Sequence, residues 1–376
     1  MIQLYEKKPM QQNSSTFKES QQESRLASST QNVGIVGCGH IARFHLNEIK
    51  KIGNTNLVGL VDSNSERLQT LSEEFNIPNV YNSIDELLKD TKPDVVHILT
   101  PPATHSELSI KAMRYGCHVF VEKPMALTSQ EAMDMIEAAE KCEVKLCVGH
   151  NLLFEPVVRK VHEIVNSFEF GDLVHLEALF IFDTNRLKQL ENIDEKLSEH
   201  WLRSLKGGLL RDLAPHPLSL MLNFLRGIKK VYSIKKQVDP KSKFGIDELR
   251  VLIDSDVATA NISMSLRAKP DNIILNLYGT KMTIRVDVSN MIFVKQKLYN
   301  VPKKVSRGID NLSQSFQISS QTINNAVKFA TGRIKDAGGL GNIIREFYRS
   351  IDLNTLPPVT GQEGAAVVEL MSKIWK

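Results

Sequence analysis

The sequence has few cysteines, no long apolar run and no strong excess of charge of either sign. Its four cysteines, Cys38, Cys117, Cys142 and Cys147, form neither a CxxC pair nor a cysteine and histidine spacing typical of zinc sites. No apolar stretch approaches the roughly 20 residues that cross a bilayer. With 47 basic and 43 acidic residues the net charge is +4, which lacks the basic footprint of nucleic-acid-binding proteins. We expect a soluble cytoplasmic protein with reduced thiols, no metal site and no membrane or nucleic-acid partner.

The first 30 residues also lack the apolar core of a signal peptide and the arginine-rich, acid-poor composition of a transit peptide. They are rich in Gln, Ser, Glu and Lys, so we expect a disordered polar tail over 1–30. The remaining chain exceeds the usual size of one domain, and 42% hydrophobic residues can form two cores. We therefore expect domains at 31–150 and 151–376.

The most informative segment present is VGIVGCGHIARFH, which runs from Val33 to His45. A buried-strand pattern leads into a glycine turn, and a helix pattern follows at once. Gly37 and Gly39 leave room for backbone to approach phosphate oxygens, and Ala42 is the third small residue that lets helix pack on strand. The N–H groups that open the helix then face the anion. This order predicts a dinucleotide-binding βαβ unit.

A carboxylate follows at the spacing that a dinucleotide site needs. The second strand, Leu57 to Val61, ends at Asp62, where an acid binds the adenosine ribose. An acid here favours NAD, because it repels the 2′-phosphate of NADP. Ser63, Asn64 and Arg67 follow closely and can accommodate a phosphate, so NADP stays open.

The first half continues as a strand and helix alternation with clear helix starts. Four S/T-x-x-E capping boxes each predict a helix N-terminus: Ser83 with Glu86, Thr104 with Glu107, Thr128 with Glu131, and, near the end of the chain, Thr360 with Glu363. Short apolar runs follow each of the first three: Val95 to Leu99, His118 to Val121, and Lys145 to Gly149. These runs indicate strands buried on both faces, so we expect a parallel, doubly wound sheet of six strands.

The second half changes pattern. A helix over Pro156 to Asn166 and a strand over Leu173 to Phe182 precede four strand-like segments, DELRVLID, VATANISMSL, NIILNLYG and KMTIRVDV. Their short polar connections predict an antiparallel meander. The chain then returns to helix at Asn342 to Ile351. The fold class is therefore α/β, with a Rossmann-type sheet followed by an α+β domain.

Chemistry in such a sheet lies beyond the carboxyl ends of the parallel strands. Three groups fall there: TPPATH at Thr100 to His105, the sequence Glu122-Lys123-Pro124, and Gly149-His150-Asn151. Lys123 stands out, because a lysine at a strand end between a carboxylate and a proline is fixed in direction. The alternative is a surface lysine paired with Glu122.

A fourth group lies in the second half, in GGLLRDLAPHPLSLMLNFL from Gly207 to Leu225. Prolines are tolerated in a first helical turn, so a helix begins near Pro215. Asp212 and His216 are four residues apart and can then meet on one side. A histidine beside a carboxylate is a plausible general base; the alternative is a capping aspartate and a structural histidine.

Taken together, these segments resemble the glucose-fructose oxidoreductase and inositol dehydrogenase family, often called Gfo/Idh/MocA. The resemblance runs from about Val33 to Lys376. It rests on the glycine turn with His45 after it, TPPATH, GCHVFVEKPMALT, the GG-x-x-x-D-x-x-x-H element and the closing NIIREFYRSI and PPVTGQEG segments.

The resemblance implies a large, mostly antiparallel open sheet in the second domain, with helices over about 340–376 packing back on the first. It implies reversible hydride transfer between a nicotinamide and a hydroxyl-bearing carbon of a sugar, cyclitol or nucleotide-sugar. Lys123 then orients the oxygen, His216 takes its proton, Asp212 holds a neighbouring hydroxyl or tunes the histidine, and Pro124 follows a cis bond. We expect cofactor contacts from Gly37, Gly39, His40, Ile41, Asp62, Arg67, Thr100, Pro101, Pro102, His105, Glu122, Lys123 and Asn151.

Some features leave alternatives open. Leu153 and Pro102 depart from the Arg and Asn that many relatives carry. The loop before the GG element supplies Arg186, Lys188, His200, Trp201, Arg203 and Lys206, and a nucleotide-sugar can use its cations and stack on Trp201. Relatives also include epimerases, lyases or glycosidases that oxidise transiently, and non-catalytic dinucleotide-binding regulators. By resemblance alone we expect a homodimer or homotetramer.

Overall fold

The structure is a computed structural model, and it describes residues 30–184, 207–242, 245–332 and 338–376. Two β-sheets, each with its own hydrophobic core, organise these residues. Within the described ranges, no helix has both the length and the apolar character needed to cross a membrane. Of the predicted site residues, Trp201 and Arg203, with Arg186, Lys188, His200 and Lys206, lie outside these ranges.

The first sheet has six parallel strands in the order β3-β2-β1-β4-β5-β6. They are β1 (Gln31–Val36), β2 (Thr55–Val61), β3 (Val80–Tyr81), β4 (Val95–Ile98), β5 (His118–Val121) and β6 (Leu146–Val148). The strand order reverses between β1 and β4, which is the point where open α/β sheets bind ligands. The predicted six-stranded Rossmann sheet is confirmed.

Five helices connect these strands: α1 (His40–Ile49), α2 (Ser65–Phe75), α3 (Ile84–Thr91), α4 (His105–Arg114) and α5 (Ser129–Lys141). The capping boxes at Ser83 and Thr128 are formed as predicted. The one predicted at Thr104 was wrong. A 3₁₀ turn over Pro102–Thr104 leads directly into α4, so Thr104 is helical and its hydroxyl bonds to Thr100 and to the Pro101 carbonyl instead.

The second sheet has seven strands in the order β13-β12-β11-β7-β10-β9-β8. They are β7 (Leu173–Ile181), β8 (Ile228–Lys236), β9 (Glu248–Ser255), β10 (Thr259–Ser265), β11 (Asn272–Gly279), β12 (Met282–Asp287) and β13 (Ile292–Lys297). The predicted continuous meander was wrong at one point. β7 lies between β10 and β11, parallel to β10 and antiparallel to β11. The short connection between β10 and β11 indicated that they are neighbours in the sheet, but β7, from much earlier in the chain, lies between them.

One face of this sheet carries helices. These are α6 (Pro156–Val165), α7 (Gly208–Leu213), α8 (Pro215–Leu222) and α11 (Gly361–Ile374), which opens with the predicted Thr360 capping box. α8 begins at Pro215 as its prolines predicted. Helix α10 (Gly338–Asp352) packs on α1, and α11 packs on both α5 and α8. Residues of α11 therefore belong to both cores, and this helix ties the two sheets together.

The sequence interpretation missed the 28-residue helix α9 (Lys303–Ala330), which runs along the edge strand β13. The amide of Gln317 accepts a hydrogen bond from the Lys295 N–H at 2.9 Å and donates one to the Lys295 carbonyl at 3.0 Å. Gln321 does the same with Phe293, at 2.9 and 2.7 Å. These side chains occupy edge groups that a further strand would otherwise pair with.

Candidate active site

The glycine turn between β1 and α1 has the shape that a phosphate cradle needs. Gly37 has φ +100°, and a Cβ there would lie 2.7 Å from the Leu99 carbonyl carbon, so only glycine fits. Gly39 is the N-cap of α1, and the space beside its Cα is open, since a Cβ there would meet no described atom within 4 Å. The N-terminus of α1, with His40 and Ile41 in its first turn, is thus open to an anion. These residues fit the pyrophosphate of a dinucleotide.

Asp62 follows β2 directly and binds the same turn. Its Oδ2 accepts the Cys38 N–H at 2.6 Å, and its Oδ1 accepts the Asn64 N–H at 2.8 Å. Asn64 in turn caps α2, whose first turn carries the exposed Arg67. The predicted ribose carboxylate therefore lies next to the glycine turn, as a dinucleotide site requires.

The loop after β4 is fixed by His105. In the buried ring, Nε2 lies 2.7 Å from the Thr100 carbonyl oxygen and Nδ1 lies 2.8 Å from the Pro124 carbonyl oxygen, and the neutral ring donates to one of the two. Burial lowers its pKa, despite the opposing effect of these two carbonyls. His105 thus joins the loop after β4, which contains Pro101 and the buried Pro102, to the loop after β5. Direct contact of this ring with the cofactor stays a prediction.

Lys123 leaves the end of β5 and extends to the second half of the chain. Its Nζ lies 3.2 Å from Oδ2 of Asp212 and 3.1 Å from the Asp212 carbonyl oxygen. Both side chains are largely buried. The Glu122 carboxylate instead accepts the backbone N–H of Lys123, at 3.2 Å. The interpretation of Lys123 as a surface lysine paired with Glu122 was therefore wrong. The Lys123–Pro124 bond is cis, as the resemblance implied.

His216 lies in the first turn of α8, four residues after Asp212. The two were expected to meet, but the Asp212 carboxylate bonds to Lys123 instead, and Nδ1 of His216 has no hydrogen-bond partner among the described residues. Burial, then the proximity of Lys123 and His150, lowers its pKa well below the usual 6.5. The imidazole is therefore neutral near pH 7, with one ring nitrogen that can accept a hydrogen bond from a hydroxyl.

His150 is the site residue that our selection from the sequence missed. It follows β6 and is 1% exposed, and neither ring nitrogen has a partner in the part of the chain that the structure describes. Burial lowers its pKa to about 4. Its position after a parallel strand was the available signal, but we chose the neighbouring Asn151. The Oδ1 atom of Asn151 is also buried and has no partner within the described ranges.

Behind Glu122, a chain of hydrogen bonds crosses the core of the first sheet. Glu122 Oε1 lies 3.1 Å from Nε2 of His45, Nδ1 of His45 lies 3.0 Å from Nδ1 of His97, and Nε2 of His97 lies 3.1 Å from the Tyr348 hydroxyl. His45, His97 and Tyr348 are fully buried or nearly so. This cluster connects the turn that carries Lys123 with helix α10, which carries Tyr348.

The protonation of this chain follows from its ends. Burial raises the pKa of Glu122, but the His45 hydrogen bond and the charge of Lys123 outweigh it, so the pKa lies below its usual value. Burial raises the pKa of Tyr348 and, together with His45, lowers that of His97. Glu122 is therefore ionised and accepts a hydrogen bond from Nε2 of His45, while the neutral His97 bonds through one ring nitrogen to His45 and through the other to the Tyr348 hydroxyl.

The geometry brings an ammonium, a carboxylate and neutral imidazoles together beside the open end of the first sheet. A lysine ammonium can hold and polarise an alcohol oxygen, and a neutral histidine can accept its proton. Leu153 lies in a 3₁₀ turn directly after His150 and is partly buried, so its apolar side chain packs against both cores.

Comparisons with known proteins identify the family of the chain. A family model described as "Oxidoreductase family, NAD-binding Rossmann fold" matches residues 31–150, and one described as "GFO/IDH/MocA C-terminal domain" matches residues 158–285. Oxidoreductase P35 of Formosa agariphila is 28% identical over 212 residues, which are 53% of this chain and 62% of that protein. Myo-inositol 2-dehydrogenase of Thermotoga maritima is 32% identical over 139 residues, which are 37% of this chain and 42% of that protein. The matches thus span less than two thirds of either relative.

A solved structure covers more of the chain. The WlbA dehydrogenase from Bordetella pertussis, in complex with NADH and UDP-GlcNAcA, aligns with a TM-score of 0.76. The alignment covers 93% of this chain and 95% of the WlbA chain at 19% sequence identity, so the similarity concerns the fold.

Proposed function

The chain belongs to the GFO/IDH/MocA family of NAD-binding oxidoreductases, and we propose that it is an NAD-dependent dehydrogenase that oxidises a hydroxyl-bearing carbon of a sugar, cyclitol or nucleotide-sugar. The observation that carries this proposal is the contact between Nζ of Lys123 and Oδ2 of Asp212, which lie 3.2 Å apart beside the neutral His216. These residues come from different halves of the chain. Their meeting at the carboxyl end of the parallel strands supports a catalytic centre there.

When bound, the nicotinamide supplies the hydride acceptor. In the proposed reaction, His216 accepts the proton of the substrate hydroxyl, while Lys123 donates a hydrogen bond to that oxygen. Asp212 directs the ammonium, and its other oxygen is available to a neighbouring hydroxyl. Glu122 and His105 hold the loop that carries Lys123. Positioning the reacting groups in this way can contribute roughly 7 to 11 kcal/mol to lowering the barrier.

We assign the cofactor to the glycine turn and Asp62. Gly37 and Gly39 would receive the pyrophosphate at the start of α1, and Asp62 would bind the adenosine ribose. His40, Ile41, Arg67, Thr100, Pro101, Pro102 and Asn151 stand as further proposed contacts around this path. Asp62 favours NAD over NADP, since its carboxylate repels a 2′-phosphate.

The substrate class rests on the relatives. Myo-inositol is the substrate named for the Thermotoga relative, and UDP-GlcNAcA is bound in the WlbA structure. Both carry vicinal hydroxyls, which suit a site with the two neutral histidines His150 and His216. Contacts of a nucleotide-sugar with Trp201 and Arg203 remain predictions, because both residues lie outside the described ranges.

We further propose a cytoplasmic homo-oligomer. The four cysteines are free, and Cys38, Cys117 and Cys147 are buried as thiols, which suits a reducing compartment. The face of the second sheet away from its helices exposes Tyr232, Ile234 and Leu252, and such a surface supports subunit contact.

The test is a panel of cyclitols, sugars, sugar phosphates and UDP-sugars, each incubated with purified protein and NAD or NADP. Reduced nicotinamide is followed by its absorbance, and His216→Ala is the matched inactive variant. Steady reduction of NAD by one class, lost in His216→Ala, supports a dehydrogenase. Product formed without accumulation of NADH would instead indicate an epimerase or lyase with transient oxidation. Tight NADH binding without turnover of any compound would favour a regulator.

A further inference from the structure

Helix α9 exposes apolar side chains along its whole length. It has 28 residues and none of them is buried, and a helix of that length extends about 42 Å. Val305, Ile309, Leu312, Phe316 and Ile323 follow one another at intervals of four, three, four and seven residues. Leu312 is 75% and Phe316 is 74% exposed. We call this stripe the apolar seam.

The side of α9 that faces its own chain is polar. Gln317, Gln321 and Asn325 bond to the backbone of β13 and the turn before it. An ordinary surface helix turns its apolar side to its own core and its polar side to water. Here the chain uses the polar side for its own sheet edge, and none of the residues that the structure describes covers the seam.

The spacing of the seam indicates that the missing partner is a helix. Apolar residues that alternate at four and three residues have the 3.5-residue period of two helices packed together. Ser319 and Ala326 continue this spacing with small side chains. A membrane-binding helix instead has a wide apolar face flanked by Lys and Arg.

The residues beside the seam carry no charge, and most of them are small. On one flank lie Ser306, Ser313, Ser320 and then Val327, and on the other Gly308, Ser315, Thr322 and then Phe329. The charged residues of α9 fall on the remaining positions: Lys303, Lys304, Arg307, Asp310 and Lys328. An identical helix can therefore approach the seam without placing like charges opposite one another, which would destabilise the pair.

We propose that the apolar seam of α9 pairs with the same seam of a second copy of this chain around a twofold axis. Twofold dimers are the commonest soluble oligomers, and each copy contributes the same surface. A strip about 42 Å long and about 10 Å wide buries about 840 Å² over both copies, which is the size of a weak, reversible interface. This contact involves no residue of the active site and is separate from the exposed face of the second sheet.

The first test is sedimentation velocity of the full chain at tens of micromolar. Leu312→Asp and Phe316→Asp change exposed residues, so both should fold, as circular dichroism can verify. Each should halve the mass of the wild-type species. Asn311→Asp adds the same charge at the neighbouring exposed position, off the seam, and should leave the mass unchanged. Equal masses for wild type and both seam variants would overturn the proposal.

A cross-link tests the symmetry directly. Phe316 lies at the middle of α9, so it meets its symmetry mate whether the helices run parallel or antiparallel. Phe316→Cys should form an intermolecular disulfide on mild oxidation, and Asn311→Cys should not. If instead the wild type is monomeric and cosediments with phosphatidylcholine and phosphatidylserine vesicles through Leu312 and Phe316, the seam binds lipid and self-pairing is wrong.

Discussion

The ammonium of Lys123 lies 3.1 Å from the carbonyl oxygen and 3.2 Å from the carboxylate of Asp212. One residue follows strand β5 of the first sheet, and the other lies on a short helix over the second sheet. The catalytic lysine that we propose is thus directed by the second half of the chain.

Replacing Lys123 by Met should reduce turnover without changing cofactor affinity. Methionine keeps the length of the side chain but removes the charge and donor, and acid-base groups of this kind contribute about 10²- to 10⁴-fold. We expect kcat to fall by that order while the Kd for NADH, followed by its fluorescence, changes less than threefold. Lys141→Met, at a mostly exposed lysine of α5, is the control. Wild-type turnover in Lys123→Met would remove this residue from the mechanism.

The pair should also couple the two halves energetically. Lys123→Met and Asp212→Asn each leave a largely buried partner without its counter-charge. The double variant should therefore be more stable than the sum of the single effects implies, by on the order of 1 to 3 kcal/mol. Urea unfolding of the four proteins gives this coupling. Strict additivity would contradict an energetic link between the residues.

Stability should fall as pH drops below 6.5, partly because of His150. Its folded-state pKa is lowered to about 4, so the unfolded chain binds more protons between pH 6.5 and 4, and its stabilising contribution is lost as pH falls through that window. Between pH 7 and pH 5 this amounts to about 2 kcal/mol, at about 1.4 kcal/mol for each pKa unit. His150→Gln should lose correspondingly less in urea unfolding over this range. An unchanged slope would show that this histidine titrates normally.

Removing the Tyr348 hydroxyl should disturb a site that it does not touch. In Tyr348→Phe, Nε2 of His97 loses its hydrogen-bond partner, which costs about 1 to 3 kcal/mol for a buried group. The chain from His97 through His45 to Glu122 is then no longer held at its far end, so Glu122 and the Lys123 turn are less well fixed. We expect a lower Tm, unchanged NADH affinity, and altered ¹⁵N shifts of the two histidines by NMR. Unaltered shifts would show that the hydroxyl does not determine the hydrogen bonding of the two histidines.

Cofactor choice should follow the charge at Asp62. Asp62→Asn keeps an oxygen that can accept the Cys38 N–H but removes the negative charge, so the 2′-phosphate of NADP is no longer repelled. The ratio of kcat/KM for NADP to that for NAD should rise about tenfold, or about 1.4 kcal/mol. Should the ratio remain that of the wild type, another residue sets the preference.

Local chemistry made much of the first sheet readable from the sequence. Its strands are buried on both faces and so appear as short apolar runs, and its capped helices mark their own starts at Ser83 and Thr128. The glycine turn with Asp62 could be recognised because its backbone needs specific residues at fixed spacings. At Thr104 the capping pattern gave a wrong prediction, because the prolines before it impose a 3₁₀ turn that the pattern does not indicate.

The sequence by itself determined which residue types are present at the strand ends and that two cores form, because both depend on neighbours along the chain. Only the tertiary structure decided that Asp212 bonds to Lys123 and not to His216, that β7 separates β10 from β11, and that His150 is buried without a partner among the described residues. Each of these is a contact between segments far apart in sequence. Such contacts are selected by packing and by the competition for hydrogen-bond partners, neither of which spacing along the chain encodes.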